Sequence, residues 1–272
     1  MIGYVFIFFI LLLEGIYFTA YNLQNAYPLF GTTLSAVTFI FLILVPVLTM
    51  KTIAEERKQK TDQLLLTAPV SVSEIVLGKF LAVATVYAIP VLIICLYPMI
   101  MGKYGTVSYA MAYTAVLGFA LLGFAQIAVG VFWSSVTENP VIAAVVTFIV
   151  LFVCYMITGI GSLIPDSSMA SLACYKLLVL LAAVWIYHMI RNLWIAAVIG
   201  IAGEAALAIT YVVKSTLFEG SIQKFLSVFD ITSHFDNFTN GILDLQGVVY
   251  FLSVIIIFLV LTVQTITKRR WN

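Results

Sequence analysis

Apolar residues along this chain do not alternate, and they do not recur on one face of a helix; they run in long blocks separated by short polar stretches. The blocks lie at 3–22, 34–52, 76–99, 109–133, 140–161, 173–190, 193–213 and 247–267. As helices, runs of roughly 20 apolar residues cross the hydrocarbon core of a bilayer. The alternating ten-residue segments of a transmembrane barrel are not seen. The pattern therefore predicts an all-α polytopic membrane protein of about eight transmembrane helices. The pair at 173–213 stands apart, because only "YHMIRN" separates its halves and Glu204 interrupts the second.

Composition agrees. Of 272 residues, 63% are apolar and 9% charged, against roughly 25% charged in a soluble domain, and the mean hydropathy is +1.15. The net charge of +1 comes without a basic patch interleaved with aromatics, so no nucleic-acid partner is expected. Cys95, Cys154 and Cys174 are odd in number and lack metal-ligand spacing; they read as core or lipid-facing residues, and no metal site is expected. The chain starts apolar at once, without the basic stretch and cleavage site of a removable signal peptide. "LGKF", Leu77 to Phe80, has neither the upstream glycine nor the Ser/Thr of a phosphate loop, so this chain is not expected to bind ATP by that means. No internal repeat or inverted pair of broken helices points to the commonest layout of secondary transporters.

Polarity concentrates in one internal loop. The stretch "AEERKQKTDQLLLTAPVSVSEIVLGK", Ala54 to Lys79, holds eight of the 25 formal charges. Thr52 to Thr67 is rich in helix formers, and Glu56 precedes Lys60 by four residues, the favourable order for a helical ion pair. Pro69 ends the element, and Ser71 with Glu74 forms an S-x-x-E capping box that restarts a helix near Val72. With the 51–79 loop cytoplasmic, nine Lys and Arg residues fall inside and four outside, which places both termini in the cytoplasm. A loop that only fixes topology and a docking element for a cytoplasmic partner both fit this composition.

"AEERKQKTDQLLLTAPVSVSEIVLGKF" strongly resembles the first cytoplasmic loop of ABC type-2 (ABC-2) transporter permeases, in particular the gliding-motility-type branch. "SSVTENPVIAAVVTF", Ser134 to Phe148, and "SHFDNFTNGILDLQGVVYFLS", Ser233 to Ser253, match in order. The resemblance covers residues 3–161 and 225–271. It implies one permease domain over 1–272 in a bacterial cytoplasmic membrane, with 51–79 as the coupling-helix loop that sits in a groove of a separate ATP-binding subunit. The matching positions are Glu55, Glu56, Arg57, Thr61, Leu64, Leu65, Pro69, Gly78 and Lys79. The short loop Ser134 to Asn139, with Thr137, Glu138 and Asn139, resembles a second inner contact, in which Asn139 is an N-cap and Pro140 the first helical residue. ATP and Mg would be bound by the partner, with no cofactor in this chain and no covalent chemistry. A second permease protomer, identical or not, an extracytoplasmic-domain accessory protein and membrane lipids are the other implied partners. Two departures stand out: the basic amphipathic elbow helix that usually precedes span one is not seen, and 162–213 reads as an inserted hairpin on a six-span core.

Between Lys214 and Gly247, Phe218, Ile222, Phe225 and Phe229 recur at helical spacing, and Ser233 with Asp236 offers another capping box. Residues 214–246 are therefore expected to form extracytoplasmic amphipathic helices. Phe235 and Phe238 lie on a stripe, Gly241 can end the helix, and the resemblance makes this region, with His234 and Asp244, an external gate. An interfacial lid that only covers the bundle is the alternative, and His234 reads as a hydrogen-bonded structural group before a pH switch. Glu14 and Glu204 sit within apolar spans, where an ionised group usually faces a cavity or a partner; both are candidates for a transport pathway. The leading reading is the membrane subunit of an ATP-driven exporter. The alternatives are an envelope assembly or signalling component driven by the same kind of ATPase, and a secondary transporter using Glu14 and Glu204.

Overall fold

The computed structural model describes residues 2–62, 70–190 and 192–270; the side chains at 185, 188–190, 193, 195, 196 and 270 are outside that description. Leu64, Leu65 and Pro69 therefore lie outside the described residues. Every described element is helical: α1 (Ile2–Tyr17), continued by a π-helical turn (Phe18–Gln24), α2 (Phe30–Thr49), α3 (Ala54–Lys58), α4 (Val72–Ile94), α5 (Tyr97–Met101), α6 (Tyr109–Val136), α7 (Pro140–Ser162), α8 (Ser168–Ile190), α9 (Leu193–Val213), a 3-10 turn (Ser215–Phe218), α10 (Ser221–Ser227), α11 (Ser233–Thr239) and α12 (Leu245–Arg270). Among the described residues six helices are long and apolar enough to cross a membrane: Ile2–Gln24, Phe30–Lys58, Val72–Met101, Tyr109–Val136, Pro140–Ser162 and Leu245–Arg269. The chain is an all-α polytopic membrane protein.

The chain divides into two units, Met1–Val153 with Ile231–Asn272, and Cys154–Asp230. In the first, α6 is the axis, packed by α2, α4, α11 and α12. Helices in lipid gain little from hiding apolar surface from each other, so close approach over small residues holds them together. Gly118, Gly123 and Gly130 supply it: a methyl group there would collide with Phe238, Tyr87 and Thr49 respectively. Tyr87 is fully buried; its hydroxyl donates to the Phe119 carbonyl at 2.7 Å, and its ring meets Phe41 edge-on with centroids 5.7 Å apart. A buried phenol without that acceptor would carry an unmet polar group. Where the π turn hands over to α2, Asn22 donates to the Tyr27 carbonyl at 2.8 Å and accepts from Thr33 Oγ1 at 2.6 Å.

In the second unit α8 and α9 form an antiparallel pair in which Gly200 lies under Ala183 and Gly203 under Val179. The helical spacing of Phe218, Ile222, Phe225 and Phe229 does not produce one helix. Gly220 takes a left-handed φ of 63° and separates the 3-10 turn from α10, a conformation open to glycine for want of a Cβ. Phe218 and Ile222 are nonetheless buried, whereas Phe225 and Phe229 stay exposed. The axis turns by 116° between Ala197–Val213 and Ser215–Ser227.

Candidate partner-docking surface

The short helix α3 follows the C-terminal end of α2 and is fastened to the rest of its unit by side chains of α6 and α4 and by its own Arg57. Its start is held by Ser134 at the end of α6: the hydroxyl oxygen accepts from the Ile53 and Ala54 amides, both at 3.1 Å, and donates to the Met50 carbonyl at 3.2 Å. This satisfies amides that the first turn of a helix leaves without partners. Arg57, whose side chain is 4% exposed, reaches back to the same place. It donates to the Ser135 carbonyl and, at 3.2 Å, to Glu138. Glu138 also accepts from Arg269 of α12 at 3.1 Å, so one carboxylate oxygen joins the ends of α3 and α12 through the α6–α7 turn. On the opposite side Lys79 of α4 donates to Glu56 and, at 3.1 Å, to the Thr52 carbonyl. A small cavity of 40 Å³ lies inside this ring, lined by Ile53, Arg57, Ile75, Lys79 and Arg269 among others.

The electrostatics follow from the geometry. Hydrogen bonds from Arg269 and then Arg57 hold the Glu138 carboxyl below the ordinary glutamate value, since bonds to the charged form favour it. Glu138 is well exposed, so salt screens much of this attraction. Arg57, by contrast, makes its bond to the Ser135 carbonyl away from water.

Of the sequence-derived helix over Thr52 to Thr67, the structure describes residues 52–62, and there α3 is interrupted. It stops at Lys58, and Lys60 adopts a left-handed φ of 59°. That conformation carries Lys60 off the helix face, so Glu56 pairs with Lys79 and not with Lys60. Glu55 takes Lys51 at 3.7 Å and the amide of Gln59 at 2.9 Å. Thr61 donates to the Glu56 carbonyl at 3.3 Å. The Ser71 and Glu74 capping box forms with reciprocal bonds of 3.0 and 3.3 Å. Gly78 faces open space on α4. Thr137 and Asn139 shape the α6–α7 turn: Thr137 Oγ1 accepts from the Asn139 amide at 3.2 Å, and Asn139 caps α7 through the Val141 amide at 2.9 Å. Glu55, Glu56, Arg57, Thr61, Lys79, Thr137, Glu138 and Asn139 thus fall in one neighbourhood, while Gly78, next to Lys79 on α4, faces away from it into open space. Ser134 and Ser135, from the loop Ser134 to Asn139 expected as a second contact, complete the ring with Arg269, which sequence did not point to.

At the other end of this unit, Phe235 and Phe238 are buried against α6 and α12. Gly241, φ 77°, closes α11, and Asp244 caps α12, accepting from the Gln246 amide at 2.9 Å and from Asn237 Nδ2 at 2.9 Å. The bond from Asn237 lowers the Asp244 carboxyl below its usual range. His234 stacks on Tyr250 with ring centroids 3.8 Å apart. α11 starts at Ser233 with Thr232 as its N-cap, so the cap falls one residue before the Ser233 expected from sequence. Glu14 is fully buried in α1, and neither carboxyl oxygen has a hydrogen-bond partner. Glu204 lies in the other unit, 3.9 Å from Lys176.

The described helices form a membrane-crossing bundle with a short polar helix fastened at one end. The chain belongs to the ABC-2 transporter family: the model described as "ABC-2 family transporter protein" matches residues 4–269. No curated protein and no solved structure matches the chain. Membership makes it the membrane-spanning permease of an ABC transporter and implies, in general, an ABC ATP-binding partner.

Proposed function

We propose that this permease is an exporter of the bacterial cytoplasmic membrane, driven through α3 by a separate ATP-binding subunit. The observation that carries this is the fastening of α3: Ser134, Arg57 with Glu138, and Glu56 with Lys79 tie it to α6, α12 and α4 at once. A partner that grips the exposed side of α3 therefore displaces three spans together, because packed helices shift as bodies. Two protomers and two ATP-binding subunits would form the working unit, with both termini in the cytoplasm, ATP and Mg on the partner, and α11 with the Asp244 turn closing the outer end. The gliding-motility-type branch rests on the loop residues alone, and an extracytoplasmic accessory protein goes with it. The α8–α9 pair adds two spans to the six. The scarcity of charge along the spans favours an amphipathic, lipid-like or peptide cargo.

Replacing Glu55, Glu56 and Leu64 together in the reconstituted complex should abolish permease-dependent ATP hydrolysis while membrane insertion is kept; normal coupling in that variant would overturn the docking role. Glu14 favours a second reading, proton-coupled transport, because an unpaired carboxyl in the bundle is costly to retain without use. If Glu14→Gln abolishes transport and leaves ATPase coupling intact, that second reading gains; if transport persists, it is excluded.

A further inference from the structure

We propose that the groove between α8 and α9 is a binding site for an aminophospholipid. The groove has a volume of 670 Å³ and is apolar along its length, lined by Leu180, Val184, Ile201 and Ala208, with Lys176 and Glu204 as its charged residues. Its depth comes from Gly200 and Gly203, which bring the two helices together. Lys176 and Glu204 approach to 3.9 Å, too far for a hydrogen bond, and Glu204 Oε1 has no partner. The pair is thus attracted but unsatisfied: three donors on one side, acceptor capacity on the other, and no net charge between them.

A zwitterionic headgroup matches that arrangement, with its phosphate on Lys176 and its primary ammonium on Glu204. Phosphatidylcholine has no N–H to give Glu204, and phosphatidylglycerol has no cation. The depth is also right for a headgroup. Tyr175 precedes Lys176, and its ring meets Phe218 and Phe225 at 6.1 and 6.4 Å, with Tyr211 on Phe218 at 5.7 Å; such aromatic clusters mark the membrane–water boundary. Below it the groove runs along the helices where an acyl chain lies. A protein helix in the groove would set apolar side chains against the charged pair, whereas a lipid supplies the matching charges.

The inference rests on the reading that α8 and α9 cross the membrane. To test both, the full chain carrying benzoylphenylalanine at Ile201 is placed in vesicles of phosphatidylethanolamine, phosphatidylcholine and phosphatidylglycerol in equal parts, irradiated, and weighed intact. Phosphatidylethanolamine adducts should outnumber phosphatidylcholine adducts by roughly 10-fold, the scale of one charge-assisted hydrogen bond, and Glu204→Gln or Lys176→Gln should return adducts to the bulk mixture. A bulk mixture in the parent chain, or adducts between two chains, would overturn the lipid site. Separately, Ile201→Cys in a chain with Cys95, Cys154 and Cys174 changed to Ala should resist an aqueous maleimide. Reaction there would overturn the hairpin reading and the lipid site with it, whereas protection with bulk adducts would overturn lipid selection alone.

Discussion

Arg57→Met removes the guanidinium that closes the α3 clasp while keeping a long apolar stem. In the structure the group donates to the buried Ser135 carbonyl and to Glu138. A hydrogen bond involving a charged group is worth about 1.5–3 kcal/mol. The bond to Ser135 is shielded from water and keeps that value; the exposed bond to Glu138 is screened by solvent and adds little. Methionine no longer has a charge to bury, which offsets part of the loss, so the net cost is about 2 kcal/mol. At 1.4 kcal/mol per tenfold, α3 should open roughly 30-fold more often. Hydrogen exchange of the Ile53 to Lys58 amides measures this directly, because the Ile53 and Ala54 amides are bonded to Ser134. They should exchange roughly 30-fold faster in the variant, while amides in the middle of α6 should not change. Unchanged exchange across 53–58 would refute the clasp, and a uniform rise through α6 would show that Arg57 supports the whole bundle instead.

Glu138 gives a pH dependence of known sign. Its carboxyl is held below the ordinary value of 4.5, so its stabilisation is complete above that value and lost as pH falls through the lowered one. Exchange at 53–58 should quicken on acidification below about pH 4.5, and Glu138→Gln should flatten that dependence. Gly118→Ala drives a methyl group into Phe238 and should lower stability by about 1–3 kcal/mol, read as a drop in thermal unfolding temperature in detergent. Gly78→Ala meets open space and should leave unfolding unchanged or raise it slightly; a loss of coupling there would mark Gly78 as a partner contact. Ser71→Ala removes the cap of α4 and should cost about 1 kcal/mol, seen as faster exchange over the first turn of that helix.

Much of the fold could be read from residue order because the signals were local. Long apolar blocks give six of the crossing helices, the Ser71 and Glu74 box begins α4, Asn139 and Pro140 begin α7, and Gly241 ends α11. The candidate site was only half legible. Glu138 meets Arg57 across 81 positions and Arg269 across 131, pairings that depend on how α6 and α12 are packed. The break after Lys58 turns on Lys60 adopting a left-handed conformation that an L side chain disfavours. The phenylalanine stripe after Lys214 misled for a related reason: helical spacing continued across Gly220, but the backbone did not. The approach of Lys176 to Glu204 required the register of the hairpin, which the apolar pattern of α8 and α9 leaves open.

Docking through α3 is most directly tested by a photoreactive residue at Lys58, which is exposed at the end of that helix. With the chain and its ABC ATP-binding subunit in one membrane, irradiation should join Lys58 to that subunit, and Arg57→Met should weaken the cross-link. If no cross-link forms while the chain still stimulates ATP hydrolysis, coupling runs through another surface and α3 is not the docking helix.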